Sequence, residues 1–272
     1  MKNSNSNSLS EDLKSGFAAI VIPVEIAIAI VIFLYVLGNP DNFQGGDPAN
    51  HPLPGNYLGV VYKGGFIVPI LMSLLMMVIT FGIERLLTIR GAKGKGSIKK
   101  FVRNIRSLIS SNNIDEAIAQ CDKQRGSVAN VVKAGLSKYT ALSKDSTIDP
   151  EKKILIIQKD IEETTQLEMP MLEKNLVIIA TIASVATLLG LLGTVMGMIK
   201  AFAALATAGA PDAVALANGI SEALINTALG IGTSALAIIQ YNYFTSNIDS
   251  LTYSIDEASF SIVQNFTTQN KG

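Results

Sequence analysis

The chain is expected to be an all-α, polytopic membrane protein, and three observations carry that expectation. Hydrophobic residues make up 49% of 272, with 22 Gly and no Trp, and the mean hydropathy is +0.37, a composition that suits a lipid solvent better than a soluble globule. Four stretches, 17–37, 66–83, 175–199 and about 222–244, are apolar over the length a helix needs to cross ~30 Å of hydrocarbon. The net charge of +0 hides an asymmetry, since 20 of the 22 Lys and Arg residues fall in 1–16, 84–175 and 245–272. Basic residues accumulate on the cytoplasmic side of a membrane. An even number of spans follows, with both termini inside and Lys63 and Lys200 outside.

Residues 1–16 read as a short cytoplasmic tail and 17–37 as the first transmembrane helix. Its 21 residues are long for the apolar core of a signal peptide, and no small-x-small cleavage pattern follows Leu37, so it is read as an uncleaved anchor. Glu25 sits inside it beside Pro23 and is placed against other helices or on a tilted helix. The outer loop 38–65 mixes Pro40, Pro48, Pro52 and Pro54 with Gly38, Gly45, Gly46, Gly55 and Gly59, turn chemistry that predicts an irregular, exposed segment. His51, the only histidine, stands there without a second ligand, and Cys121 is the only cysteine, so neither a metal site nor a disulfide can form within one chain.

The second transmembrane helix, 66–90, ends in a basic stretch, and 91–170 is expected to be a cytoplasmic helical region. Ile98, Phe101, Ile105 and Leu108 recur at helical spacing, with Lys99, Lys100, Arg103 and Arg106 on other faces. Attraction to anionic headgroups explains those charges without nucleic acid. Gly91, Gly94 and Gly96 alternate with Lys93 and Lys95 but follow a helix and not a strand, so they read as a flexible basic exit from the bilayer. Short amphipathic helices follow around 115–122, ended by Gly126, and around 127–143. Asp149-Pro150 then marks a helix start, an acidic N-cap before proline at the first helical position, for a helix that can run on into the third span. Pro170 is expected to kink or interrupt it.

The third span lies within 171–203, an outer loop within 204–217, the fourth span within 218–248, and a cytoplasmic tail within 249–272. No phosphate loop, no nucleophile with a base and no cluster of metal ligands occurs anywhere. An enzyme is therefore not expected, and no cofactor or metal is called for.

Chemistry concentrates on the last two spans. From Ala213 to Ile248, Glu222 is the only charged side chain, and an intramembrane charge is tolerated mainly where it faces protein or a water-filled path. At 3.6 residues per turn, Glu222, Asn226, Thr233 and Gln240 fall within about 40° of one another, so a polar stripe runs along the helix. Thr227 lies roughly 140° away by the same arithmetic. On the third span Gly193 and Gly197 form a small-xxx-small pair that admits another backbone. Thr187 and Thr194 share a face there, and one reading spends their hydroxyls on carbonyls of the preceding turn, the other on a pathway.

Gly190-Leu191-Leu192-Gly193-Thr194-Val195-Met196-Gly197-Met198 resembles the G-L-[FL]-G-T-V-x-G-[IM] signature of the MotA/TolQ/ExbB proton channel family, in its ExbB and TolQ members. Gly219-Ile220-Ser221-Glu222-Ala223-Leu224-Ile225-Asn226-Thr227-Ala228-Leu229-Gly230 resembles their G-I-[AS]-E-A-L-x-x-T-A-[IL]-G. The resemblance covers about 64–248, including Ile83-Glu84-Arg85-Leu86, and is weakest over 91–170.

That resemblance implies a bacterial inner-membrane protein with 38–65 and 204–217 in the periplasm, long helices extending into the cytoplasm, and an oligomeric ring, a homopentamer, around a central pore. It implies an ExbD/TolR-like single-span dimer inside the pore, a TonB-like protein as client and membrane lipids around the ring. Carried over by position, Glu222, Thr194 and Thr227 are the proton pathway, with Thr187, Asn226 and Thr233 as further pore-lining candidates. Gly190, Gly193, Gly197 and Gly230 are the helix-packing residues. The implied function is a stator that uses the proton motive force to energise TonB-dependent transport across the outer membrane. Alternatives are a TolQ-like or surface-motor stator for envelope integrity or motility, and a non-conducting scaffold in which Glu222 is a structural hydrogen bond. The chain departs from the common pattern at Thr187 and Leu236, where many relatives have proline, and in the additional span 17–37.

Overall fold

A computed structural model describes residues 4–145, 147–206 and 212–270, the side chains of 4–15 and Asn270 excepted. The chain ends, Ser146 and the part of the expected outer loop at 207–211 lie outside the described residues. Among those described the fold is helical, without a strand: α1 (Ser4–Val31, closing in a π-helical turn, Ile32–Leu37), α2 (Tyr57–Tyr62), α3 (Ile67–Lys93), α4 (Ile98–Ser110), α5 (Ile114–Gln124), α6 (Ser127–Ser143), α7 (Pro150–Glu173), α8 (Leu176–Ala206) and α9 (Ala213–Asn270). Among the described residues, four helical stretches are long and apolar enough to cross a membrane. The chain divides into two compact units, one of residues up to Gly82 with Val177–Tyr241, the other of Ile83–Leu176 with the rest of α9.

In the first unit α1, α3, α8 and α9 bury Ala29, Ile67, Val68, Leu71, Phe81, Ile179, Ile182 and Ala237. Ile20, Val24, Leu34, Leu188, Val195 and Ile199 stay exposed, a density of outward apolar side chains that marks contact with lipid or another chain. Pro23 is accommodated inside α1. Glu25 turns away from the exposed face toward α3: only 6% of it is accessible, and the Thr80 hydroxyl donates to its Oε1 at 2.5 Å.

The segment 38–65 is irregular, as its glycines and prolines predict, but it is not loose. Asn42 is buried and donates from Nδ2 to the carbonyls of Val36 and Leu37, at 2.8 and 2.9 Å, satisfying the end of the π-helical turn. Asn56 donates to Asn42 Oδ1 at 2.9 Å and accepts from the Gly59 amide as the cap of α2. Tyr62 stacks on Phe33 with centroids 4.7 Å apart and meets Phe43 edge-on. Lys63 donates to the carbonyls of Pro48 and Ala49, both at 2.9 Å. Burial pushes its ammonium below the ordinary value, against the attraction of Asp47. Turn residues signal irregularity, whereas this packing depends on aromatic and amide groups that a count of Gly and Pro does not register.

The second unit buries one face each of α4 to α7 and of the last part of α9. Phe101, Ile105, Ile109, Val132, Leu136, Ile157, Ile161, Leu251, Ile262 and Phe266 form its core. Cys121 is buried among them, and burial pushes its thiol up to about 12. Asp149 caps α7 as the sequence predicts, accepting from the Glu151 amide at 2.9 Å ahead of Pro150.

Two turns here differ from expectation. α7 runs through Pro170, and the break falls after Glu173, with Asn175 at φ 66°. Arg85, 2% exposed, donates from Nη1 to the carbonyls of Met171 and Leu172 at 3.1 and 3.0 Å. It thereby satisfies the carbonyls that a helix end leaves open. Its own charge is met by Glu84, which also accepts from Asn175 Nδ2 at 3.2 Å. The glycine-lysine exit is packed as well: Gly94 (φ 68°) presses on the backbone of Gln124 and Arg125, and the Lys95 amide donates to the Gln124 carbonyl at 2.6 Å.

Candidate functional site

The site lies in the first unit, where α8 and α9 run side by side along a seam of small residues. A Cβ placed on Gly197 would lie 2.6 Å from both the Gly219 carbonyl oxygen and the Ala223 nitrogen. One on Gly230 would lie 2.6 Å from the Ala186 carbonyl oxygen and 2.8 Å from the Gly190 Cα. Gly193 faces the Asn226 side chain, and Gly190 the Asn226 carbonyl. The backbone that the small-xxx-small pair admits is therefore that of α9 in the same chain, a point the spacing left open.

With the backbones this close, groups from the two helices reach one another. The hydroxyls of Thr194 and Thr227 bond to each other. Thr194 Oγ1 also lies 3.3 Å from the Gly190 carbonyl and 3.4 Å from the Ala223 carbonyl, and Thr227 donates to Ala223 O at 3.1 Å. Thr194 thus bonds back one turn, as one sequence reading has it, and also meets α9. Thr187 is half-buried on the same helix, and Ser234 reaches across the seam to the Ala183 carbonyl at 2.5 Å.

The stripe on α9 faces protein. Asn226 is fully buried and donates from Nδ2 to the Gly64 carbonyl at 2.8 Å. Thr233 is buried, and the Gln240 amide lies against Gly82, where a Cβ would be 2.9 Å from its Cδ. Glu222, 6% exposed, packs on Gly65, whose φ of 75° and lack of a side chain both matter: a Cβ there would sit 2.7 Å from Glu222 Oε1. The turn before α3 and α9 are thus fitted to one another through two glycines and two polar side chains.

Among the described residues, Glu222 has one charged neighbour. Lys200 Nζ lies 2.6 Å from Oε1 and 2.8 Å from Oε2, a two-oxygen ion pair in which the carboxylate is buried and the lysine side chain is 52% exposed. Sequence reasoning counted Lys200 only as an outside charge. A signal was present: Lys200 follows Gly193 by seven residues and so lies about 20° from it around α8, on the face that meets α9. Glu25, the other intramembrane carboxylate, bonds Thr80 and is not among these groups.

A comparison with family models matches residues 123–257 to the MotA/TolQ/ExbB proton channel family. Among curated proteins, the chain is similar to the Tol-Pal system protein TolQ of Pseudomonas aeruginosa, 32% identical over 124 residues, or 46% of this chain and 54% of that one. It is also similar to TolQ of Haemophilus influenzae, 31% identical over 49% of this chain and 57% of the relative. The biopolymer transport protein ExbB of Neisseria meningitidis serogroup B is 26% identical over 216 residues, covering 79% of this chain and 90% of the relative. The chain thus spans little more than half the length of the TolQ proteins it matches.

Proposed function

The chain belongs to the MotA/TolQ/ExbB proton channel family, a multi-pass protein of the inner membrane, and from that premise we propose that it is the proton-channel stator subunit of an ExbB-ExbD-like motor. In this reading it forms a homopentamer around an ExbD/TolR-like single-span dimer and uses the proton motive force to energise TonB-dependent transport across the outer membrane. Both termini and 91–170 are cytoplasmic, and 38–65 and 204–217 are periplasmic. The observation that carries the reading is a buried carboxylate, Glu222, on the same α8–α9 seam as the Thr194–Thr227 hydroxyl pair.

Each part has a physical role. Moving one proton through 100 mV releases about 2.3 kcal/mol, and the group that takes and gives the proton is Glu222. Five residues on, about 7.5 Å along the helix at 1.5 Å per residue, Thr227 and Thr194 offer hydroxyls that both donate and accept, the requirement for relaying a proton. Asn226 holds α9 in its rotation by closing on the Gly64 carbonyl, and Thr233 is buried on the same stripe. The chain's own residues supply all of this chemistry, so the reading calls for no catalysis and no cofactor.

The TolQ reading keeps the same residues and mechanism and changes the client to envelope integrity; the 32% identity to a TolQ protein favours it. Uptake driven by the proton gradient, in cells lacking the native protein, tests the proposal. Glu222→Gln keeps shape and hydrogen bonding but cannot ionise, so it should abolish uptake while co-purification with the partner persists, and Glu222→Asp should retain part. Wild-type uptake by Glu222→Gln would replace the channel with the scaffold. Loss of envelope integrity with normal uptake would favour the TolQ client.

A further inference from the structure

The ion pair between Lys200 and Glu222 carries a consequence for how the pathway is controlled. Both carboxylate oxygens lie within 2.8 Å of one ammonium. From Leu176 to Ile248 the charged residues are Lys200, Asp212 and Glu222. Asp212 accepts from the amides of Val214 and Ala215 at the start of α9. Lys63, beside the turn that touches Glu222, is held by the Pro48 and Ala49 carbonyls. No charge on 66–83 of α3 faces the pair, and Glu25 on α1 is bonded to Thr80. Among the described residues, Lys200 is thus the cation available to Glu222.

The two ends of the pair are unequally exposed. The carboxylate is closed in by Gly65 and α8, while half of the lysine side chain is accessible, and an ammonium has three N–H donors, of which Glu222 takes two. We propose that Lys200 is a latch on the proton pathway: in the resting subunit it occupies the Glu222 carboxylate, and proton uptake waits until an acidic side chain on a partner's membrane helix draws the ammonium outward. This rests on the reading of Glu222 as the proton-carrying group and adds its regulation. Because the stem of Lys200 is flexible and its outer side is open, the ammonium can change partners with α8 and α9 in place. In that exchange the proton binds Glu222 and Lys200 stays charged, paired with the incoming acid.

Full-length chain reconstituted alone into lipid vesicles under an imposed pH gradient tests the latch. Wild type and Lys200→Arg should be tight, Lys200→Met should pass protons several-fold faster, and Lys200→Met with Glu222→Gln should be tight again. Infrared absorption gives a second readout that a merely structural role does not move. Lys200→Met should raise a protonated-carboxyl C=O band, absent from wild type and lost again in the double variant. A Lys200→Met protein with wild-type flux, or with a wild-type carboxyl spectrum, overturns the latch. Should Lys200→Met not fold, Lys200→Gln, which keeps a polar side chain at this half-exposed position, decides by the same flux measurement: a leak supports the latch, and wild-type tightness overturns it. The two proposals fail separately. Glu222→Gln with wild-type uptake removes the proton pathway itself, whereas loss of uptake in Glu222→Gln together with unchanged flux in Lys200→Met removes the latch alone.

Discussion

Replacing Gly197 by alanine adds one methyl group where the α8 and α9 backbones press on one another. That methyl would sit 2.6 Å from the Gly219 carbonyl oxygen and the Ala223 nitrogen and 3.0 Å from the Ala223 Cα. All three are backbone atoms, which cannot rotate aside. Restoring an ordinary contact of about 3.5 Å requires the helices to part by roughly 0.9 Å, and a gap of that size forfeits a quarter to a half of the dispersion energy of the neighbouring contacts. The hydrogen bond from Thr194 to the Ala223 carbonyl, already 3.4 Å long, would be lost. Overpacking of this kind costs about 1–3 kcal/mol, and alanine returns up to ~1 kcal/mol through its helix propensity. Gly232, on α9 across the seam, supplies the control, because a Cβ there has nothing within 4 Å. Gly232→Ala receives the propensity gain without the clash, so the difference between the variants isolates the seam and should be about 1–3 kcal/mol. Thermal unfolding of both in one detergent measures it, and equal midpoints would refute the account of the seam.

Thr194→Val and Thr227→Val should each cost about 0.5–1.5 kcal/mol. In a double-mutant cycle the pair should cost less than the sum of the singles, since one shared hydrogen bond is removed in both; strict additivity would mean that the hydroxyls do not meet. Arg85→Ala removes a buried cation together with the cap on the Met171 and Leu172 carbonyls. Breaking a buried pair costs about 3–5 kcal/mol; the lower end is expected because Glu84 keeps 24% of its side chain exposed, and unfolding in detergent measures it. Burial raises the Cys121 thiol to about 12 from an ordinary 9.0, so maleimide should label it far more slowly in the folded chain than after denaturation at neutral pH. A raised pKa in an acid that is neutral when protonated favours the folded state fully below pH 9.0 and loses that contribution as pH climbs toward 12. Stability should therefore fall over that alkaline window in wild type and less in Cys121→Ala.

The apolar runs, the Asp149-Pro150 helix start and the stripe of Glu222, Asn226, Thr233 and Gln240 were legible in the amino-acid order, because each depends on one helix and its own periodicity. What periodicity describes is an angle around a single axis. It leaves Thr227 off the stripe and counts Lys200 only as an outside charge. Whether two groups on different helices touch depends on the rotation and axial offset of one helix against the other, and those are decided by backbone contacts such as Gly197 on Ala223 and Gly190 on Gly230. The same holds for the turn at Gly64 and Gly65, where Asn226 donates to the Gly64 carbonyl and Glu222 occupies the space that Gly65 leaves. Arg85 lies 86 and 87 residues from the carbonyls it caps, a distance no local rule spans; the helix expected to kink or stop at Pro170 runs on to Glu173. Local chemistry in this chain thus determined which residues are polar, small or charged within an apolar helix. Close packing of three-dimensional neighbours decided which of them share a bond.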